Sequence, residues 1–490
     1  MLLSALLKDA KIEYDGADCE IQSVICDSRE AKSGTLFVCI TGFASDGHAY
    51  AKRAYDLGCR AFVVEKDVDL PGDAVVVMQE NTRIALAKLS AAYYDFPAGK
   101  KLKVVGITGT KGKTTTALML ASVLNQNGIS TGYIGSNGID FAGNHFDTKN
   151  TTPESIDLHY YFNEMVAAGV EAVVLEVSSQ ALYLDRVYGI PFFATAFTNL
   201  AEDHIGGIEH PTFEHYRDSK KKLFTAYPSR FVIYNCEDAE SEYMLDGCRA
   251  LLGSFGLESG DFHASDIEPF MENGTLGISF TAHALSRSAK VMLPMPGKFS
   301  VANALCAISL AHRFGVGLDE CASALENTYV FGRFEIVPTK LPAVFVIDYA
   351  HNGFSLTNAL ETLKSYSPSR LWCVVGSVGG RTKGRRAELG EVASKYCDKV
   401  VLTADNPDFE DPLEICEEMR AAFVRDVECE MFADRAEAIR YVLCHVEKDD
   451  IVLFAGKGHE QYQLICGGKM PFSERKLIEE YSLEISAELV

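Results

Sequence analysis

Residues 104–115 read Val-Val-Gly-Ile-Thr-Gly-Thr-Lys-Gly-Lys-Thr-Thr: an apolar run, a glycine-bearing loop, then a helical pattern from about Thr114. Glycines let backbone N–H groups close around a phosphate, and the helix N-terminus adds partial positive charge. Lys113 would meet the β/γ oxygens of a nucleoside triphosphate, and Thr114 could ligate Mg²⁺. Gly109, Thr110, Lys111, Gly112, Lys113, Thr114 and Thr115 are therefore candidates for triphosphate binding. The strict pattern G-x-x-x-x-G-K-[ST] fails at one place, because Ile107 stands where its first glycine would be.

Other polar groups follow apolar runs in the same way. Val173–Val177 carries Glu176, and a carboxylate there would complete a Mg²⁺ site, although a lone acid at a strand end more often caps or pairs locally. Residues 198–204 place His204 just past another apolar run, as a candidate ligand or phosphate contact. Lys220-Lys221-Lys222 by itself reads as a solvated helix face. Farther on, Asp348 and His351 follow one run, the glycine-rich basic stretch 376–386 with Arg381 follows the next, Asp405-Asn406-Pro407-Asp408 a third, and Gly456 to Glu460 the last. Four such clusters in succession read as the wall of one binding site.

Short apolar runs alternate with helical patterns along most of the chain, which predicts an α/β fold with parallel sheets and crossover helices. At 490 residues the chain exceeds a single core, and three domains are expected. A small unit with strands near 21–26, 35–40, 60–65 and 74–78 ends at the Phe96–Lys101 break, giving residues 1–98. A motif-rich unit with strands near 103–108, 172–177, 193–199 and 231–235 covers 99–332. From 333 to 490 the pattern is that of a doubly wound sheet, with strands near 343–348, 371–376, 399–403 and 451–455. Ligands of such sheets bind beyond the carboxyl ends of the strands.

Composition excludes several classes. With 46 Lys plus Arg against 68 Asp plus Glu, the net charge of −22 repels a polyanion, so nucleic acid is not an expected partner. No apolar run reaches the roughly 18 residues of a membrane helix, and the apolar start at Met1–Leu7 lacks the flanks of a signal peptide, so no membrane insertion and a cytoplasmic location are expected. Fourteen cysteines without CxxC spacing read as reduced thiols in the core.

Together the motifs resemble the Mur ligase family. GTKGKTT (109–115), NTTP (150–153), EVSS (176–179), DH (203–204), Y-x-x-x-K-x-x-L-F (216–224), FSVANAL (299–305), GRFEIV (332–337), DYAH (348–351), GSVGGRTKGRR (376–386), DNP (405–407) and GKGHE (456–460) occur in that family's order and span nearly the whole chain. The DSR at 27–29, with DNP and GKGHE, is similar to the branch that adds the third residue to UDP-N-acetylmuramoyl-L-alanyl-D-glutamate. The resemblance implies three domains: one for the uridine nucleotide, a central ATPase, and a Rossmann-like domain that brings the amino acid and closes over ATP. It implies that Lys220 is carbamylated by CO₂ into a carboxylate-like Mg²⁺ ligand beside Thr114, Glu176 and His204, with Lys113, Glu176, His204 and Lys220 catalytic. Ser28, Thr151, Thr152, Ser178 and Arg186 would contact the UDP-muramoyl dipeptide. Asn303, Arg333, Asp348 and His351 would lie around ATP, while Arg381, Asp405, Asn406, Asp408, Gly456 and Glu460 would hold the amino acid. The implied reaction passes through an acyl phosphate on the substrate carboxylate, in a monomer.

Some positions depart from the family pattern. Gln180 replaces the His of EVSSH, Ala201-Glu202 a Ser-Arg, and Asn352-Gly353-Phe354 a TPD, while Leu184 occupies a polar contact position. Family members that add meso-diaminopimelate resemble DNPR, whose Arg forks onto the distal carboxylate. Asp408 stands there instead, which points to L-lysine, with meso-diaminopimelate, L-ornithine or a non-catalytic UDP-sugar and ATP-binding paralogue as alternatives. A folylpolyglutamate-synthase-like ligase is disfavoured by the α/β unit ahead of the phosphate loop, and a simple P-loop kinase leaves the last four clusters without a task.

Overall fold

Runs of valine, isoleucine and phenylalanine bounded by glycine or polar residues become the strands of a computed structural model that describes residues 1–488, except 43–44, 203–204, 207–208, 273 and 381–382. The chain divides into two units. The first comprises Met1–His263, His283–Arg287 and Asn303–Cys321, and the second Ala264–Ala282, Ser288–Ala302 and Ala322–Val490.

In the first unit, β1 (Ser23–Ile25), β2 (Thr35–Val38), β3 (Ala61–Val64) and β4 (Val75–Met78) form a parallel sheet in chain order. Alternate strand residues such as Leu36, Val38, Ala61 and Val63 pack with Leu86 and Leu89 of helix Thr82–Tyr93 and with Leu3, Leu6 and Leu7. The apolar N-terminal segment is thus a core helix, Leu3–Asp9.

A second sheet contains β5 (Lys103–Thr108), β6 (Thr131–Gly135), β7 (Gly138–Phe141), β8 (Asn144–Phe146), β9 (Ala172–Glu176), β10 (Phe192–Phe197), β11 (Ser229–Asn235) and β12 (Leu251–Phe255). Their order is β12-β11-β10-β5-β9-β6-β7-β8, parallel from β12 to β6 and antiparallel beyond. Central β5, β9 and β10 are buried almost throughout, as expected of parallel strands covered on both faces. Residues 262–293 form three neighbouring strands, β13 (Phe262–Glu272), β14 (Thr275–Ala284) and β15 (Arg287–Leu293). Polar residues interrupt β13, and only two of its eleven positions are buried, so it offers no apolar run to find.

The second unit is built on β16 (Glu335–Val337), β17 (Val344–Asp348), β18 (Leu371–Val375), β19 (Lys399–Thr403), β20 (Glu428–Phe432) and β21 (Ile451–Ala455), ordered β16-β17-β21-β18-β19-β20 and parallel except for β16. The period of two along each strand divides it between two cores. Val344, Val346, Cys373, Val375, Leu453 and Ala455 face Leu356, Leu360 and Leu363 of helix Gly353–Lys364. Phe345, Ile347, Trp372, Val374, Val452 and Phe454 face Ile439, Val442 and Leu443 of helix Arg435–His445. Truncating a fully buried leucine such as Leu453 to Ala would cost about 2–5 kcal/mol. A hairpin of β22 (Tyr462–Ile465) and β23 (Gly468–Pro471) follows. The cysteines are free thiols, and among the described residues no helix is long and apolar enough to cross a membrane.

Candidate functional site

In the first unit the phosphate-loop sequence joins β5 to helix Lys113–Gln126. The helix is buried along Ala117, Met119, Leu120, Val123 and Leu124 and is followed, after Asn127, by Gly128, whose φ of +77° suits the left-handed turn there. Its N-cap residue is Gly112, which has no side chain to cap it. The loop is held from β10: the Thr110 amide donates to the Asn199 carbonyl (2.8 Å), the Lys111 amide to Asn199 Oδ1 (2.9 Å), and Thr198 Oγ1 to the Lys111 carbonyl (2.7 Å). Gly109 and Gly112 have φ of +154° and +85°, and a Cβ on either would collide, with Thr198 at the first and the Asn303 side chain at the second. Lys113 Nζ donates to the carbonyls of Gly109 (3.0 Å) and Thr110 (3.1 Å) within the same loop. Asn303 joins the group by accepting from Thr116 Oγ1 at 3.3 Å.

Glu176 ends β9 fully buried. Its Oε2 accepts from Thr114 Oγ1 (3.0 Å), and its Oε1 accepts from Tyr133 OH (2.5 Å) and the Ser136 amide (3.0 Å). Helix Phe213–Thr225 buries Tyr216, Ser219, Lys220, Leu223 and Phe224, the spacing of one helical face. That spacing separates Lys220, at 1% exposure, from the partly exposed Lys221 and Lys222. Its Nζ donates to the Gly109 carbonyl at 2.8 Å and lies 4.6 Å from the Tyr216 ring centre. The solvated-face reading of the three lysines is therefore wrong for Lys220: helical period, not composition, decides which lysine is inside. His204 lies outside the described residues.

Of the residues assigned to the UDP-muramoyl dipeptide, four gather beyond β9. Thr152 Oγ1 donates to the Glu176 carbonyl (2.8 Å) and accepts from the Ser178 amide (3.0 Å), while Thr151 and Ser136 hydroxyls lie 3.0 Å apart. Ser178 caps the short helix Ser179–Tyr183, and Arg186 donates to the Thr152 carbonyl (3.1 Å) and to Glu154 Oε1 (2.9 Å). Ser28 is buried separately, in the 3-10 turn Ser28–Glu30 of the first sheet's domain. Leu184 is buried at the end of helix Ser179–Tyr183, and Gln180 lies partly buried within it.

In the second unit Arg333, Asp348 and His351 come together. The Arg333 guanidinium lies 4.7 Å from the Tyr349 ring centre, Tyr349 packs against His351 and His459, and the Phe334 amide donates to Asp348 Oδ2 (2.9 Å). Burial raises the Asp348 carboxyl above its ordinary range, opposed by Arg333. Burial, with Arg333 beside it, pushes the His459 imidazole down to about 4. Asn352 caps helix Gly353–Lys364 through the Ser355 amide (2.9 Å), which gives that departure from the family pattern a local role.

Asp405, Asn406, Gly456 and Glu460 converge at the ends of β19 and β21 around a residue the sequence reading passed over. Lys457, fully buried, donates to Asn406 Oδ1 (3.0 Å), Glu460 Oε2 (2.7 Å) and the Tyr462 carbonyl (2.6 Å), with Asp405 Oδ1 3.6 Å away. Arg435, also fully buried, clamps the Ala404 and Ala455 carbonyls (3.2 and 2.8 Å) and pairs with Glu474 at 2.7 Å. Burial raises the Asp405 carboxyl despite Lys457 and Arg435. Lys457 belongs to the GKGHE motif, in which Gly456 and Glu460 match ligand positions of the family. Arg381 lies outside the described residues.

Asp408 makes a contact that the sequence does not reveal. Its φ is +54°, a left-handed conformation that Asp and Asn tolerate, and its Oδ1 accepts from the Gly467 amide at 2.7 Å in the β22–β23 turn. At least one carboxylate oxygen is thus occupied in stapling a hairpin, which weakens the inference of an ammonium receptor and with it the case for lysine.

Sequence models of three Mur ligase domains match the chain: the Mur ligase family catalytic domain at 20–94, the middle domain at 107–311 and the glutamate ligase domain at 332–458. A UDP-N-acetylmuramoyl-L-alanyl-D-glutamate–2,6-diaminopimelate ligase of Caldanaerobacter subterraneus subsp. tengcongensis is 38% identical over 99% of both chains, and one of Bacillus licheniformis is 37% identical over 99% of both. A solved structure of a ligase of the same name superposes with a TM-score of 0.73 at 25% identity, covering 99% of each chain. With similarity running end to end through the phosphate loop, the buried Glu176 and the Lys457 cluster, the chain belongs to the Mur ligase family, three-domain α/β enzymes that use ATP to form amide bonds in peptidoglycan synthesis.

Proposed function

We propose that this chain joins 2,6-diaminopimelate to the D-glutamate of UDP-N-acetylmuramoyl-L-alanyl-D-glutamate. The observation that carries the ligase chemistry is the meeting of Lys113, Thr114, Glu176 and Lys220 at one phosphate loop. The amino acid is supported by relatives named as 2,6-diaminopimelate ligases at 37–38% identity over 99% of the chain.

In this reading a substrate carboxylate oxygen attacks the γ-phosphorus of ATP, the bond to ADP breaks, and an acyl phosphate forms. The amine, having lost its proton, attacks the acyl carbon, and phosphate departs with the C–O electron pair. Lys113 and the glycine loop orient the triphosphate and offset charge on the transferring group. Arg186, held by Thr152 and Glu154, binds the anionic end of the muramoyl dipeptide, with Thr151 and Ser178 beside it. Ser28 binds nearer the uridine nucleotide. Asn303, Arg333, Asp348 and His351 serve ATP, and Asp405, Asn406, Gly456 and Glu460 the incoming amino acid.

The donors suit Mg²⁺, which takes one or two carboxylates plus hydroxyl, water and phosphate oxygens. Thr114 and Glu176 already meet in a buried pair, and Lys220 as its carbamate would add a third oxygen donor. The ion would supply charge stabilisation to phosphoryl transfer. Among the described residues, which do not include His204, no group of three His, Cys, Asp or Glu side chains forms a metal site of its own.

The second reading is L-lysine, favoured by the acid at position 408. Phosphate release from Mg-ATP with the UDP-muramoyl dipeptide tests both, with meso-diaminopimelate, L-lysine, L-ornithine or no amino acid added. Release dependent on diaminopimelate is expected. Release with lysine alone overturns the amino-acid assignment and keeps the ligase. No release with any amine points to a paralogue that binds without turnover.

A further inference from the structure

Glu176 is not held by the phosphate loop alone. Tyr133, in β6, is 2% exposed and donates its phenol to Glu176 Oε1 at 2.5 Å; the same phenol oxygen accepts from the Asn137 amide at 3.2 Å. The Ser136 amide donates to Oε1 at 3.0 Å, and Ser136 Oγ lies 3.5 Å from Oε2. Oε1 is thus occupied by two hydrogen bonds, the one from Tyr133 short, whereas Oε2 is the oxygen directed to Thr114, next to Lys113. Gly135 makes this possible: a Cβ there would collide with both Glu176 Oε1 and the Tyr133 phenol.

We propose that Tyr133 is a positioning residue for the metal carboxylate, fixing Glu176 in the rotamer that offers Oε2 to Mg²⁺ beside Thr114. The proposal rests on the reading of Glu176 as a Mg²⁺ ligand. Mg²⁺ requires near-octahedral geometry and short bonds, so a freely turning carboxylate is a poor ligand for it. Groups that orient a metal ligand through a hydrogen bond commonly change metal affinity 10- to 100-fold when removed. The phenol is placed to do this from a strand that supplies no ligand itself, and its ring is buried.

The test compares wild type, Tyr133→Phe, Gly135→Ala and Glu176→Gln in the full chain. Mn²⁺ binding in the presence of ADP is read from the paramagnetic resonance of free Mn²⁺, and Mg²⁺ dependence is read from phosphate release. Tyr133→Phe keeps the ring and removes only the hydroxyl; its melting temperature reports whether it folds. Gly135→Ala drives the phenol and carboxylate apart without deleting either, so the pair stays testable if one variant is unstable. Tenfold or greater weakening of Mn²⁺ binding in Tyr133→Phe is expected, with an equal rise in the Mg²⁺ needed for half-maximal turnover and little change in the KM for the UDP-muramoyl dipeptide. Unchanged or tighter Mn²⁺ binding in Tyr133→Phe, with Glu176→Gln impaired, overturns the proposal while leaving Glu176 as ligand. Binding unchanged in Glu176→Gln as well removes the underlying metal assignment and the proposal with it. A loss of melting temperature without a change in Mn²⁺ affinity assigns Tyr133 to packing alone.

Discussion

Glu176 and Asp405 are both buried acids at the end of a parallel strand, yet their surroundings are opposite. The direct hydrogen bonds to Glu176 come from neutral donors, a threonine, a tyrosine and a backbone amide, while Lys113 and Lys220 bind carbonyls of the neighbouring loop. Asp405 lies among cations, with Lys457 3.6 Å away and Arg435 at the neighbouring strand ends. A carboxylate solvated by dipoles keeps its net charge for an incoming cation. One set among lysine and arginine is already offset and acts more as scaffold. The first arrangement suits metal and phosphate chemistry, the second the shaping of a pocket for a zwitterion.

The contrast can be broken most strongly at Arg435. Arg435→Met leaves Glu474 buried without its cation and should cost about 3–5 kcal/mol in denaturant unfolding, with part of the loss recovered by adding Glu474→Leu. Glu176→Gln should show the reverse profile. Its amide can still accept at Oε1, so stability should change by less than about 1 kcal/mol, whereas turnover should fall on the order of 10²- to 10³-fold. A large stability loss in Glu176→Gln, or normal turnover, would erase the distinction.

Two histidines sharpen the contrast by pH. Burial alone pushes His159 in the first unit down to about 4, whereas His459 in the second also has Arg333 beside it. For a histidine whose native pKa is depressed, the unfolded chain takes up the proton first. Stability is therefore present above about pH 6.5 and is lost as pH falls toward about 4. For His159 this loss is on the order of 3 kcal/mol. Unfolding of His159→Gln followed between pH 7 and pH 4 should show a flatter decline than the wild type. The smallest expected effect is at Asp408: Asp408→Asn keeps a residue suited to φ > 0 and an acceptor for the Gly467 amide. Relative turnover with lysine and diaminopimelate should stay within about twofold; a larger shift toward diaminopimelate would return the charge to the specificity argument.

Much of the first site was legible because its parts lie within a few residues of an apolar strand. Gly109 to Thr115 and Glu176 could be located from spacing, and the parallel α/β class from alternation. What stayed hidden depended on direction. Tyr133 is one apolar-looking residue of a strand until the pleat turns its phenol toward Glu176, and Lys457 is one basic residue in a glycine-rich turn until three acceptors converge on it. Lys220 needed both the family resemblance and the helical period to stand apart from its neighbours. The contact of Asp408 stayed hidden because it is made to a hairpin at 462–471, more than fifty residues along the chain.

The two loop glycines also differ in how they would tolerate diversification. The three atoms nearest a Cβ at Gly112 belong to the Asn303 side chain, whereas at Gly109 the main chain of Asn199 stands close as well. A library that varied positions 112 and 303 together could relieve one clash by truncation, and Asn at 112 would suit the left-handed backbone. No partner substitution moves a main chain aside. Surviving sequence variation should therefore be correlated at 112 with 303 and nearly absent at 109, so the loop has one negotiable glycine and one fixed glycine.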